Sequence, residues 1–263
     1  MTSRRTALKS GLITFGGLCV ASSIPRALLA QAGGEGDRYA TDTGGEIVVH
    51  PVQHASLVLE TPGAVVYVDP VGGAELYEGL PPPNLIMITH EHGDHYDPET
   101  LAALMVDDLS MYTNPAVFEM LPGELRERAI ALGNGDESDT ETLRIDVVPA
   151  YNITADRLDF HPEGRDNGYI LTAGGKRIYI AGDTEATPEM RQLADIDIAF
   201  VPMNLPYTMD VEQAADGVSE FAPGVVYPYH YRGKDEMSDT GEFARLVKEQ
   251  TNDTEVIEHD WYG

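Results

Sequence analysis

The sequence predicts an α/β protein in which two sheets pack face to face with helices outside. Short apolar runs bounded by Gly, Pro or Asp alternate with segments of helical character, which indicates strands and helices in turn. The same order, strands first and then alternating strands and helices, occurs twice along the chain. The roughly 230 residues that follow residue 32 are enough for one sizeable domain.

In the first half, apolar runs predict the strands, and a capping residue followed by proline predicts a helix. Asp97 and Pro98 have this arrangement, because aspartate accepts from free amides at a helix start and proline suits the first helical position. The predicted strands are 46–49, 56–59, 64–68, 85–88 and 111–113, and the predicted helices are 98–105 and one that begins at Pro115. An acidic turn is predicted at 133–141.

The second half of the chain repeats this order of strands and helices. Ala173-Gly174-Gly175 stands between two apolar runs and predicts a hairpin. The predicted strands of this half are 143–149, 169–171, 177–181, 196–201, 225–227 and 255–257, and the predicted helices are 188–193, 210–220 and 239–249.

A ligand-rich loop follows the apolar run at 85–88. Residues 89–95 read Thr-His-Glu-His-Gly-Asp-His, so His90, His92, Asp94 and His95 are candidate metal ligands. Alternation places His90 and His92 on one side of an extended chain, and the pair after Gly93 can face a second metal. The motif therefore predicts two adjacent metal ions; the alternative is a polar loop of surface histidines.

The spacing H-x-H-x-D-H resembles that of the metallo-β-lactamase superfamily, and the resemblance extends over about residues 46–257. It implies the four-layer αβ/βα sandwich, the metallo-β-lactamase fold. The chain is most similar to the metal-dependent hydrolase branch, which includes ascorbate-phosphate-lactonase-like and phospholipase-D-like proteins. A domain of this fold is expected over 46–263.

The resemblance also implies the remaining ligands. Asp183, in Gly182-Asp183-Thr184 after a strand, would bridge both metals; otherwise it is a turn or helix-capping residue. His230 ends another strand and would bind the second metal. The usual third histidine of the first metal is replaced by Tyr151 and Asn152, so His161 is expected to supply that donor from a loop, unless it is a surface residue. The implied sets are His90, His92, His161 and Asp183 for the first metal, and Asp94, His95, Asp183 and His230 for the second.

Four other groups are expected to act differently. His54, which precedes a strand, is expected to support the fold or the ligands rather than to bind metal. Asp69 is expected to orient a ligand histidine through a hydrogen bond, as metal-bound imidazoles usually require. His50 and His259 are expected to be ordinary side chains.

This donor set indicates hydrolytic chemistry. Oxygen and nitrogen donors without sulfur suit two divalent ions, Zn2+ in the first place, with Mn2+ or Fe2+ as alternatives. Water between such ions loses its proton at roughly neutral pH, which supplies a hydroxide for attack on an ester, lactone or phosphodiester. Asp94 and Asp183 are the predicted catalytic residues. The alternative is a catalytically silent metal- or ligand-binding protein of the same fold.

The predicted substrate is a small molecule. The loops 152–166, 204–209 and 231–236 are expected to shape its pocket, with Arg232 and Lys234 as a basic pair that could receive a phosphate or carboxylate. The candidate substrate contacts are Asn152, Tyr207, Tyr231 and Arg232.

The charge of the chain argues against a nucleic-acid partner. Four of the 17 basic residues and none of the 44 acidic residues lie in residues 1–32, so the remainder carries a formal charge of −31. Such a field repels a phosphate backbone.

Residues 1–32 resemble an export signal. Arg4 and Arg5 form a twin arginine, an apolar stretch follows from residue 11 to 21, and Ala30-Gln31-Ala32 is a small-x-small cleavage site. We expect a twin-arginine signal peptide at 1–32, a flexible leader at 33–45, and a periplasmic or secreted protein without a stable membrane anchor. The alternative is an uncleaved anchor. The only cysteine, Cys19, lies in this segment, so the rest forms no disulfide.

Overall fold

The computed structural model of the chain describes residues 36–263. The predicted signal peptide, 1–32, lies outside the described residues. Within them, every helix is too short or too polar to cross a bilayer.

Seven strands form the first sheet, in chain order. The strands β1 to β4 pair antiparallel, and β4 to β7 pair parallel. Their bounds are β1 (Asp37–Ala40), β2 (Glu46–Gln53), β3 (Ser56–Thr61), β4 (Ala64–Val68), β5 (Leu85–Ile88), β6 (Ser110–Thr113) and β7 (Ala129–Ala131).

The second sheet repeats this plan. The strands β8 to β11 pair antiparallel, and β11 to β14 pair parallel, so the strand order again follows the chain. Their bounds are β8 (Glu137–Asp139), β9 (Arg144–Ala150), β10 (Asp166–Ala173), β11 (Lys176–Ile180), β12 (Ile198–Pro202), β13 (Val225–Tyr229) and β14 (Glu255–Val256).

The helices cover the outer faces of the two sheets. As predicted, Asp97 caps the first helix and accepts from the amide of Glu99 at 3.0 Å. The helices are α1 (Pro98–Leu104), α2 (Pro115–Met120), α3 (Gly123–Arg126), α4 (Pro188–Arg191), α5 (Val211–Phe221) and α6 (Thr240–Gln250), and Ala74–Tyr77 forms a 3-10 turn.

Strand β5 shows how the layers arise. Leu85 and Met87 point into the core between the sheets, whereas Ile86 and Ile88 pack in the cluster that holds Leu101 of α1. Successive side chains of a strand point to opposite faces, so a strand buried on both faces is apolar throughout. The predicted fold class, a four-layer αβ/βα sandwich, is confirmed.

Two predictions made between the main elements need correction. The predicted flexible leader at 33–45 contains β1, which pairs with β2 and holds the Tyr39 hydroxyl 2.5 Å from that of Tyr227. The predicted turn at 133–141 contains β8, which pairs with β9. Both strands are short and polar, and their pairing depends on partners that local sequence patterns do not identify.

Candidate metal centre

All seven predicted ligand side chains meet at one edge of the sandwich. His90, His92, Asp94 and His95 follow β5, whereas Asp183 and His230 follow β11 and β13. His161 comes from the loop between β9 and β10.

Asp183 lies at the centre of this cluster. Its Oδ1 is 3.3 Å from Nε2 of His95 and 3.5 Å from Nε2 of His230. Its Oδ2 is 3.3 Å from Nε2 of His161. The two oxygens of one carboxylate therefore face two different groups of imidazoles, as a residue shared between two cations requires.

Three buried atoms in the cluster indicate that the residues fit a cation. Within residues 36–263, Nε2 of His95, Oδ1 of Asp183 and Nε2 of His230 are buried without a hydrogen-bond partner. Leaving one such atom unpaired costs about 1–3 kcal/mol. Because all three face the same small volume, a divalent ion there would satisfy them together.

The close donor groups agree in part with the predicted ligand sets. His90, His92 and His161 offer atoms within 4.8 Å of one another, as the predicted first site requires. Asp94 and His230 form a second group, but its third member is His54. His95 forms a group of the same size with His90 and Asp183. His54 therefore lies close enough to Asp94 and His230 to offer a donor to the second site, whereas the sequence predicted only a supporting role for it.

Each inner imidazole is held at its other nitrogen. Asp69 approaches Nδ1 of His95 at 2.7 Å, which is the contact predicted for it. Asp166 lies 3.0 Å from Nδ1 of His161, and the amide nitrogen of Asn204 lies 2.8 Å from Nδ1 of His230. Such contacts fix the ring orientation and direct the free nitrogen inward.

His54 connects the cluster to residues near position 260. Its Nε2 lies 3.1 Å from Oδ2 of Asp94, and its Nδ1 lies 2.8 Å from the Tyr262 hydroxyl. Its ring centroid is 3.8 Å from that of His230, and its carbonyl accepts from the His230 amide at 3.1 Å. The backbone φ of His54 is +50°, which is uncommon outside glycine and costs strain that these contacts offset.

Gly182 makes the turn that exposes Asp183. Its φ is +65°, and a Cβ built there would lie 2.8 Å from the Asn167 carbonyl oxygen. Glycine alone avoids that clash while the chain turns sharply after β11.

The loop that carries His161 is anchored by Glu185. The buried Glu185 carboxylate accepts from the amides of Ile153 and Thr154, each at 2.7 Å, and from the Arg157 guanidinium at 2.7 Å. Arg157 also donates to the Thr208 carbonyl at 2.8 Å. The loop is therefore fixed at several points before His161.

Protonation in the metal-free cluster follows the charge pattern. Burial opposes ionisation of Asp183, but His230 and His95 outweigh it and hold the Asp183 pKa well below its ordinary value. Burial likewise opposes protonation of His161, but Asp166 and Asp183 raise its pKa to about 9. Burial and the neighbouring His95 keep the pKa of His90 well below its ordinary value. Protons on His161 therefore compete with cations for the same nitrogen.

A cavity of about 350 Å³ opens onto the cluster. Tyr207, a predicted substrate contact, lines it. Its lining residues are His92, Asp94, Phe160, His161, Asp183, Asn204 and Tyr207.

The other predicted substrate contacts lie elsewhere. The buried Asn152 donates to the carbonyls of Arg157 and Tyr207. Tyr231 donates to the His259 carbonyl at 3.1 Å, and the Arg232 guanidinium lies 4.0 Å above the Tyr262 ring. Their described contacts hold loops and the segment at 259–262 in place.

Asp166, Asn204 and Glu185 are functional neighbours that the sequence patterns did not single out. Asp166 is adjacent to Arg165 and reads as an ordinary surface ion pair, and Asn204 reads as a loop amide.

Comparison with known proteins agrees with this geometry. A family model described as a beta-lactamase superfamily domain matches residues 49–230. The chain belongs to this superfamily, which confirms the resemblance seen in the sequence.

The similar proteins are described as metal-dependent hydrolases, which narrows the enzyme class within the superfamily. A UPF0173 metal-dependent hydrolase of Methanopyrus kandleri is 27% identical over 217 residues, which cover 78% of this chain and 93% of the relative. A UPF0173 metal-dependent hydrolase of Pyrococcus furiosus is 32% identical over 179 residues, covering 64% of this chain and 75% of the relative. The crystal structure of a candidate metal-dependent hydrolase from Parabacteroides distasonis shares 41% identity, with a TM-score of 0.75 over 84% of this chain and 97% of that one. These relatives confirm the predicted enzyme class, a metal-dependent hydrolase, and support the use of divalent metal.

Proposed function

We propose that the chain is a hydrolase that holds two divalent cations, zinc in the first place, and cleaves an ester, lactone or phosphodiester bond of a small molecule. The observation that carries this proposal is the placement of Asp183, whose two oxygens face separate groups of imidazoles. When bound, two divalent ions would lower the pKa of a shared water and neutralise the charge that develops on the substrate.

The residues of the chain would contribute holding and orientation. His90, His92 and His161 would hold the first cation. Asp183 would serve both cations. Asp94 and His230 would hold the second, and the unpartnered Nε2 of His95 would complete it. Each of these residues would act with a fixed side chain, so little reorganisation would be needed during reaction.

Asp94 has a second task in this proposal. Its side chain is about half exposed and lines the cavity, whereas Asp183 is buried. Asp94 can therefore accept a hydrogen bond from the attacking water and direct it toward a substrate carbonyl or phosphorus.

The experiment compares the metal-loaded protein with Asp183→Ala and with Asp139→Ala, a control at an exposed carboxylate of β8. Metal content is measured together with hydrolysis of lactones, aryl esters, phosphodiesters and a β-lactam. The unmodified protein and Asp139→Ala are expected to bind two cations per chain and to hydrolyse one of these substrate classes. Asp183→Ala is expected to lose both the cations and the activity. Equal rates for all three proteins would end the proposal.

Export remains part of the proposal. We propose that residues 1–32 direct the protein through the twin-arginine machinery to the periplasm or beyond. The support is the pair Arg4-Arg5 ahead of an apolar stretch and a small-x-small site. Replacing both arginines with lysine in a reporter fusion should abolish export, and unchanged export would contradict the proposal.

A further inference from the structure

The cavity has an aromatic wall. Phe160 and Tyr207 line it and meet edge to face, with ring centroids 5.2 Å apart. Aromatic faces of this kind receive apolar groups in small-molecule sites. Among residues 36–263, those that line the cavity include no lysine or arginine.

Further apolar side chains are exposed on the loops that carry Phe160 and Tyr207 and on a turn that is hydrogen-bonded to one of them. Ile153, Leu158, Leu205 and Met237 are between 41% and 46% exposed, and we call these four residues the apolar rim. Four other large apolar side chains are exposed among the described residues, and they lie on other segments. Single exposed apolar residues need no explanation, but a group carried by the loops of Phe160 and Tyr207, and by the turn that is hydrogen-bonded to Leu205, can extend a binding surface.

The rim residues lie on segments that are fixed to one another. Asn152 donates to the Tyr207 carbonyl at 2.7 Å, which ties the segment of Ile153 and Leu158 to that of Leu205. The amide of Lys234 donates to the Leu205 carbonyl at 3.0 Å, and residue 232 pairs with Met237 across a short turn. Water-exposed apolar groups on well-held backbone indicate a preformed surface.

Charge argues against an anionic substrate. The chain has a formal net charge of −27, and Arg232, one of the two predicted anion receptors, has its guanidinium over Tyr262. An anionic group would therefore enter against the field of the whole protein and, among residues 36–263, would meet no lysine or arginine in the cavity lining.

We infer that the substrate is an uncharged ester or lactone with an apolar chain or ring. The scissile carbonyl would lie at the cations, and the apolar portion would extend past Phe160 and Tyr207 onto the apolar rim. This inference rests on the proposed hydrolase function, since it names the substrate class of the same site.

The first measurement uses aryl esters of acetate, butyrate, hexanoate and octanoate with the metal-loaded protein. Full burial of one methylene is worth about fourfold, so kcat/KM is expected to rise about twofold to fourfold per methylene until the rim is covered. A bis-aryl phosphodiester of similar size is expected to react at least tenfold more slowly than the hexanoate. Rates independent of chain length, or a preference for the phosphodiester, would overturn the inference.

Variants connect the chain-length dependence to the rim. Leu158→Gln and Leu205→Gln should each flatten the rise from acetate to octanoate by at least threefold. Met120→Gln, at a more exposed methionine outside these loops, should leave that rise unchanged. An unchanged rise in both rim variants would refute the assignment.

Binding separates this inference from the proposed function. Methyl ketones with the same chains are titrated into Asp183→Ala, which is not expected to hydrolyse anything. Tighter binding with longer chains, lost in Leu158→Gln on the same background, supports the apolar surface even if no ester is cleaved. Failure of every ester with the metal-loaded protein counts against the hydrolase, whereas ketone binding that ignores chain length counts against the rim.

Discussion

The imidazole of His54 contacts the carboxylate of Asp94, with Nε2 3.1 Å from Oδ2, although 40 residues separate them in the chain. The Tyr262 hydroxyl lies 2.8 Å from the other ring nitrogen and accepts from the Arg232 amide at 3.0 Å. The hydroxyl can donate its proton to Nδ1, and the ring would then carry its own proton on Nε2 and donate it to Asp94. The His54 contact therefore holds the same Asp94 oxygen that lies 3.4 Å from Nε2 of His230.

The His54 contact predicts an effect on the second cation. Replacing His54 with alanine should weaken its binding by about 10- to 100-fold, because Asp94 loses the group that orients it. His54→Gln, which keeps an N–H donor, should lose less. Competition with a chromophoric chelator measures both cation affinities. Unchanged affinity in His54→Ala would show that Asp94 needs no such support.

Asp69 predicts a matching effect on His95. Asp69 is buried, accepts from the Thr89 amide at 2.7 Å and from its hydroxyl at 2.6 Å, and holds His95. Asp69→Asn should weaken cation binding by about 10- to 100-fold and lower the free energy of unfolding by about 1–3 kcal/mol. Chelator competition and urea unfolding measure the two effects.

The parallel variant Asp166→Asn should act through His161 and affect the first cation more strongly. Identical effects of the two variants on both cations would contradict the existence of two separate sites.

The raised pKa of His161 predicts a pH dependence of the metal-free protein. A histidine whose pKa is about 9 in the folded state, above its ordinary 6.5, stabilises the fold fully below pH 6.5. That contribution is lost as the pH rises through about 9. The free energy of unfolding in a chelator should therefore fall across this window.

His161→Gln provides the control for this pH effect. In that variant the decline between pH 6.5 and 9 should be smaller, and metal binding at pH 7 should release fewer protons, as measured by calorimetry in two buffers of different ionisation enthalpy. A decline of equal size in both proteins would assign the effect to other groups.

The Glu185 anchor predicts a stability effect away from the cations. Arg157→Leu leaves the buried Glu185 carboxylate without its cation, which should cost about 3 kcal/mol in urea unfolding. The affinity for the first cation should fall too, since His161 lies on the same loop. Adding Glu185→Gln to this variant should recover part of the loss. A double variant less stable than Arg157→Leu alone would show that the ion pair is not the origin of the effect.

The fold and the metal centre could be predicted at those positions where a functional residue lies next to a recognisable local sequence pattern. The strand before His90, the glycine before Asp183 and the cap at Asp97 each carry a signal within a few residues. Those positions were predicted, and the structure brings the predicted ligands together.

The remainder depends on contacts between distant segments. Asn204 meets His230 across 26 residues, and Glu185 meets Arg157 across 28 residues, without a local pattern at either position. Strand β1 is short and charged, and its pairing with β2 was not predicted for the same reason. The involvement of His54 needed the position of Tyr262, which only the folded chain provides.

The two sheets have a further consequence for how the protein acquires its ions. Donors before position 96 emerge from the ribosome well ahead of Asp183 and His230, and Tyr262 follows later still. A growing chain therefore offers only a partial set of nitrogens and oxygens during most of its synthesis. We therefore expect the chain to bind its ions only after translation of the second half, so that the metals available where folding finishes would select the ion.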